Sequence, residues 1–296
     1  MSFHSIRLFV LLTLFGLGTL TAQHSMGYRL QVGDEFKITQ WAAQEMTQTL
    51  EGSSHVLNND LEGRFTFKVQ AVEDGVHTIV MTFDDFAIKS TSSMQGEVLN
   101  VRASEKIEGD IMSTIFNALI GHELILKMDR QGAILETSGS DGLITKMIAA
   151  ANITDEFTMA MMRKSLEKEF GSGLAQSFEQ MTFFHPPKAV AIGETWQTRY
   201  EGKIDAENEW TLEQVANGTT AISGTAKATM QNQDDSLSLT LDGNLETMIQ
   251  AKASNGFMTK MMVKGEFSGT SVMNQLGSVE IPTTLNQTIT YELITE

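Results

Sequence analysis

Past residue 22 the chain alternates. Phe36, Ile38 and Gln40 are interleaved with Lys37 and Thr39; Phe65, Phe67, Val69 and Ala71 are interleaved with Thr66, Lys68 and Gln70. A period of two sets one row of side chains on a core and the other in water, so these runs predict antiparallel strands with one buried face. Asp74-Gly75 and Asn217-Gly218 supply the two positive-φ positions of a tight hairpin turn. Between 104 and 187 the period changes. Asp110 is placed to cap a helix carrying Ile111, Ile115 and Leu119, with Met112, Phe116 and Ile120 as a second ridge and Gly121 to stop it. Residues 122–128 and 132–138 read as strands again. A second helix begins near Ser140 with Leu143, Met147, Ile148 and Ala151. Thr154 is placed to cap a third, striped by Phe157, Met161, Met162, Leu166 and Phe170, with Gly171 and Gly173 to end it. His185-Pro186-Pro187 breaks any continuation.

One phrase occurs twice. Residues 32–40, VGDEFKITQ, return as residues 192–200, IGETWQTRY. Val72-Glu73-Asp74-Gly75 then matches Val215-Ala216-Asn217-Gly218, and the turn at Arg130-Gln131-Gly132 is echoed at Ser254-Asn255-Gly256. Two readings are open: a tandem duplication, or generic strand-and-turn chemistry recurring by chance. Each greasy helix needs a surface to cover, and a one-faced sheet provides one. The expected fold is α+β: two related curved antiparallel β-sheets, from a tandem duplication, packed on helices from the middle of the chain. The expected divisions are a first β-rich half at 23–139, a helical segment at 140–187 and a second β-rich half at 188–296.

The first 22 residues form a separate unit. MSFHSIR is followed by the uncharged run LFVLLTLFGLGTL and the small residues Thr21 and Ala22. That order reads as a secretory signal peptide, and the run is short for a membrane span. The expectation is export to the periplasm or beyond, with cleavage after Ala22 or Gln23. Cysteine is absent, which excludes disulfides, thiol nucleophiles and Cys-ligated zinc. The formal charge is −16. A field of that sign repels phosphate backbones, so no nucleic-acid partner is expected.

Pro187-Lys188-Ala189-Val190-Ala191-Ile192-Gly193-Glu194-Thr195-Trp196 resembles the Pro-x-x-Val-x-x-Gly-Asp/Glu-x-Trp opening of a family of uncharacterised exported bacterial envelope proteins. In the first copy Phe36 stands in the place of the tryptophan. The resemblance implies export and a strand-rich fold of unknown function, and it brings no active-site residues.

The motifs of catalysis do not appear. No histidines stand in H-x-x-x-H or H-E-x-x-H spacing, and G-x-S-x-G and phosphate-loop patterns are missing. Asp84-Asp85 on a strand is expected to split between two faces. Asp234-Asp235 lies in a polar turn without the alternation of a calcium loop. Neither a cofactor nor a metal is implied. Methionine is abundant, 18 residues, and it fills irregular apolar space. Met112, Phe116, Met147, Phe157, Met161 and Met162 are the candidate apolar lining for a ligand. The functional expectation is a non-catalytic envelope protein that binds a hydrophobic or lipid-like small molecule or another envelope protein. The rivals are a hydrolase whose carboxylates converge from distant parts of the chain and an interaction module using exposed sheet edges.

Overall fold

The computed structural model describes residues 22–233, 237–273 and 279–294. The leader read at 1–22 falls almost wholly outside these residues, and so does the Asp234-Asp235 turn. The strands and helices follow in chain order. First come β1 (Gln23–His24), β2 (Glu35–Leu50), β3 (Ser53–Glu73), β4 (Val76–Ser92) and β5 (Gly96–Arg102). Next are α1 (Ile111–Asn117), β6 (Glu123–Met128), β7 (Ile134–Ser138), α2 (Ser140–Ala151), α3 (Glu156–Glu167), a π turn (Lys168–Ser172) and α4 (Gly173–Thr182). The chain then forms β8 (Val190–Ala191), β9 (Thr195–Tyr200), β10 (Ile204–Ala216), β11 (Thr219–Gln233), β12 (Leu237–Lys252), β13 (Met258–Met273) and β14 (Val279–Leu293).

The strands make one large antiparallel sheet in the order β7-β6-β4-β3-β2-β14-β13-β12-β11-β10-β9, with β5 also on β4; β1 and β8 form a separate two-stranded ribbon. Instead of the two sheets expected from sequence, both halves share one hydrogen-bonded surface, because β14 pairs β2 on one side and β13 on the other. Pairing of this kind joins distant parts of the chain and leaves no local pattern to read.

The repeated phrase has the same geometry both times. The Gln31 N–H donates to the Asp34 carboxylate (2.9 Å), and the Ala191 N–H to the Glu194 carboxylate (2.6 Å). The Asp34 N–H returns to the Gln31 carbonyl, and the Glu194 N–H to that of Ala191. Gly33 (φ 92°) donates to the Val69 carbonyl, and Gly193 (φ 85°) to the Leu212 carbonyl. Both partner strands shift register at that point, between Val69 and Ala71 and between Leu212 and Gln214. Five residues beyond Val69 and Leu212 come the Asp74-Gly75 and Asn217-Gly218 turns, with positive φ at all four residues. The strand order β7-β6-β4-β3-β2 is matched by β13-β12-β11-β10-β9, leaving β14 between them.

One buried cluster unites Phe36, Phe67 and Met81 from the first half with Trp210, Ile249 and Met261 from the second, and Ile115, Met147 and Phe178 from helices. Glycines make room for the largest rings: a side chain at Gly63 would strike Phe65, and one at Gly224 would strike Trp210. Helix α4 stands between the ends of the sheet. Glu179 accepts from the Ile134 N–H of β7 (3.0 Å), and beyond the helix the Phe184 carbonyl accepts from the Trp196 indole of β9 (2.9 Å). Thr182 donates to the Gly132 carbonyl (2.7 Å), and the buried His185 ring pairs with the Gly256 carbonyl (2.9 Å). The segment after α4 thus clasps the two corresponding turns, one from each half.

The helices depart from expectation in two places and keep to it in a third. Asp155, not Thr154, caps α3, its carboxylate accepting from the Thr158 N–H (2.8 Å). Gly171 breaks the helix as expected: its backbone leaves helical geometry (φ −83°, ψ −112°) after the π turn begins, and a separate helix, α4, starts at Gly173. Helix α3 buries none of its residues completely, and Phe157 is 74% exposed. Its apolar stripe predicts a covering surface, and Met162, Leu166 and Phe170 pack against the margin of the main cluster, while α4 goes deeper and sets Phe178 against Phe67. Among the described residues no helix is long and apolar enough to cross a membrane.

Candidate functional site

The inner face of the sheet alternates in character along its strands. On one rung Gln287 of β14, Gln44 of β2, Asn59 of β3 and Ser90 of β4 lie side by side. Two residues away, Ile289, Ala42, Leu61 and Ile88 form an apolar rung. Two further on, Tyr291 faces Gln40. Inward positions on paired strands must coincide in this way, because side chains repeat every second residue.

These rungs form one wall of a cavity of about 500 Å³. The opposite wall is Ile204 of β10, Met230, Gln231 and Asn232 of β11 and Leu239 of β12; Gln176, Ser177 and Gln180 of α4 close it from below. The volume lies in the range of small-molecule sites. The amides are partly engaged with one another and their neighbours. Gln44 Nε2 donates to Gln287 Oε1 (3.2 Å), Ser90 to Asn59 (2.6 Å) and Gln40 Nε2 to the Tyr291 hydroxyl (3.4 Å). A primary amide has two donor hydrogens and two acceptor lone pairs, so most of this capacity remains for a guest.

Among the described residues charge is confined to the rim. Lys203 Nζ meets Glu169 Oε2 at 2.7 Å, the Lys203 backbone N–H donates to Gln176 Oε1 (3.0 Å), and Lys168 bonds Asn232. These contacts latch the π turn and α4 to the second half. Burial raises the Tyr291 hydroxyl pKa, with nearby Tyr200 adding to it, so the phenol is neutral. Among the described residues the wall offers hydrogen bonds and apolar contact without a carboxylate pair, and Glu169 is the one acid along it.

The six sequence candidates do not converge here. Met147 is fully buried in the main cluster, and Met162 is half-buried against it. Phe116 stacks on Phe86, with ring centres 5.9 Å apart. Met112, Phe157 and Met161 are exposed, at 41%, 74% and 49%. None of the six lines this cavity. The residues missed were Gln40, Gln44, Asn59 and Gln287. Their signal was present as amides at inward positions of strands whose other inward residues are apolar.

A model of family DUF6263, a family of unknown function, matches residues 74–276. The chain belongs to that family. No curated protein matches its sequence. Among solved structures, one reported for lipid–protein interactions in lipovitellin is similar over 90% of this chain, with a TM-score of 0.52 and 8% identity. The chain corresponds to 25% of the lipovitellin chain. DynF from the dynemicin biosynthesis pathway of Micromonospora chersina aligns over 92% of this chain and 85% of its own, at 6% identity and a TM-score of 0.22. An outer membrane channel from Pseudomonas putida F1 aligns over 90% of this chain and 97% of its own, at 6% identity and a TM-score of 0.26. The lipovitellin likeness is one of fold, and the two lower scores carry no structural conclusion.

Proposed function

We propose that this family member is a non-catalytic binding protein of the bacterial envelope whose curled sheet holds an uncharged amphiphile. The carrying observation is the interior cavity, where an amide rung lies beside an apolar rung and charge is held at the rim. An acyl or other apolar body fits against Leu61, Ile88, Ile289 and Leu239, while a neutral polar group meets Gln44, Asn59 and Gln287. A fixed charge inside would lose hydration without an opposite charge to receive it. The subject of the lipovitellin structure, lipid–protein interaction, agrees with a lipid-like guest.

Two further expectations belong to this reading. The apolar leader and its small-residue exit support export. The matched turns, bulges and strand order support a tandem duplication in which two five-strand units were joined by β14, with helices from the middle of the chain covering the shared interior.

The test is displacement of an environment-sensitive apolar dye from purified protein. A monoacylglycerol is expected to displace it more strongly than the fatty acid of the same chain length. Ala42→Phe, which fills the cavity from the apolar rung, should abolish dye binding while the far-ultraviolet spectrum stays unchanged. Failure of wild-type protein to bind any apolar probe, or equal binding by the filled variant, would refute the carrier role.

A further inference from the structure

A separate hollow of about 640 Å³ lies on the outer side of the sheet. Its floor consists of two outward-facing rungs. One runs through Thr290, Trp41, Glu62, Ala87 and Arg102. The other runs through Thr288, Ala43, Asp60, Lys89 and Asn100. The chain beyond β5 forms a wall through Glu105, Ile107 and Asp110. Ala43 and Ala87 keep the floor low between larger neighbours. From β14 to β5 the five strands span about 19 Å at about 4.8 Å per step, the length of an extended ligand.

Trp41 sets the chemistry. The other two tryptophans are core residues, 7% and 3% exposed, and both indole N–H groups are bonded inside the protein. Trp41 is 44% exposed at the hollow, and the sheet fixes the direction of its side chain. A flat aromatic body with a wet edge suits ligands that have both a C–H face and polar groups. The charges around it are largely committed. Arg102 bonds Glu62 (2.7 Å) and Asp85, Lys89 stands 3.7 Å from Glu97, and the Asp110 carboxylate caps α1 through the Ser113 N–H (3.0 Å). The hollow has Lys89, Arg102, Asp60 and Glu62 on its floor and Glu105 and Asp110 in its wall, so ions of either sign meet like charge there. The ligand it favours is neutral and polyhydroxylated, stacking on the indole and bonding to Asp60, Asn100 and the two threonine hydroxyls.

We infer that the outer hollow is a binding site for a neutral oligosaccharide. It is on the opposite face of the sheet from the amphiphile cavity and does not depend on that cavity being filled. The experiment uses full-length mature protein with maltohexaose, cellohexaose, chitohexaose and mannohexaose. Binding of at least one should change tryptophan emission and retard the protein in an affinity gel containing the corresponding polysaccharide. Trp41→Ala should weaken gel retention about tenfold or more, as loss of a stacking platform does elsewhere; Trp41→Phe should restore part of it. Ser177→Phe, which fills the inner cavity from α4 and lines no part of the outer hollow, should leave saccharide binding in place. The inference is overturned if none of the four sugars changes emission at millimolar concentration, or if retention survives Trp41→Ala unchanged. It is likewise overturned if only a cation such as spermidine gives the response.

Discussion

Buried ionisable residues respond to acid in two separate ranges. Burial lowers the His185 pKa to about 4 from its ordinary 6.5; the bond to the Gly256 carbonyl raises it, and Arg29 lowers it further. The unfolded chain therefore takes up a proton at this residue between pH 6.5 and 4 while the folded chain does not. Stability falls as pH drops through that window, by up to roughly 3 kcal/mol at 1.36 kcal/mol per pH unit. His77, lowered chiefly by burial, acts in the same direction. His185→Phe is expected to flatten the decline in urea midpoint across this range; an unchanged slope would place the effect elsewhere. Asp85 acts below that range. Burial raises its pKa, but hydrogen bonds from Arg64, Ser104, Arg102 and the Phe86 N–H outweigh burial and hold the carboxyl well below its ordinary 3.8. Its contribution is present above 3.8 and is lost as pH falls further. Because the Arg64 guanidinium is half-exposed, Asp85→Asn is expected to cost only about 1–2 kcal/mol at pH 7, read as a urea midpoint shift that vanishes in strong acid. Asp85 also shows where residue-scale alternation misleads. Asp84 bonds Thr66 and Asp85 bonds Arg64, residues two apart on β3 and so on one face. The register shift beside Phe65 turns both acids to the same side.

The elements most legible in sequence were those defined by neighbouring residues. Asp74-Gly75 and Asn217-Gly218 announce hairpins because their φ angles demand those residue types, and Asp110 caps α1 as its position suggests. The glycine-acid turns at 33–34 and 193–194 are equivalent down to the hydrogen bond. Asp34→Ala and Glu194→Ala should therefore destabilise by similar amounts, about 1 kcal/mol each, in thermal or urea unfolding. A clear inequality would argue against structural equivalence of the two turns. Less legible was the destination of each helix. An apolar stripe shows that a helix can be buried but does not say what space remains, and α4 rather than α3 occupies the interior. That placement depends on Gly132, where φ is +101° and an added side chain would meet the Thr182 carbonyl. Gly132→Ala should cost about 3 kcal/mol and increase hydrogen exchange in α4 before the sheet.

At the scale of the molecule, alternation foretold antiparallel strands but not their order. The pairing of β2 with β14 and the coincidence of Gln44, Asn59 and Gln287 depend on registers between distant residues, so the candidate site stayed hidden behind the more conspicuous methionines. Removing residues 279–296 should abolish the single cooperative unfolding transition and leave the two halves unable to share a core. Retention of one sharp calorimetric transition would show that β14 is dispensable. The position of β14 also imposes an order on biogenesis. Ile38 finds its partner at Leu293, so β2 leaves the ribosome long before the strand that completes its edge. Until then the nascent sheet is an open book whose pages cannot close. Strand β14 is the keystone, and the interior hollow is widest just before that strand is set.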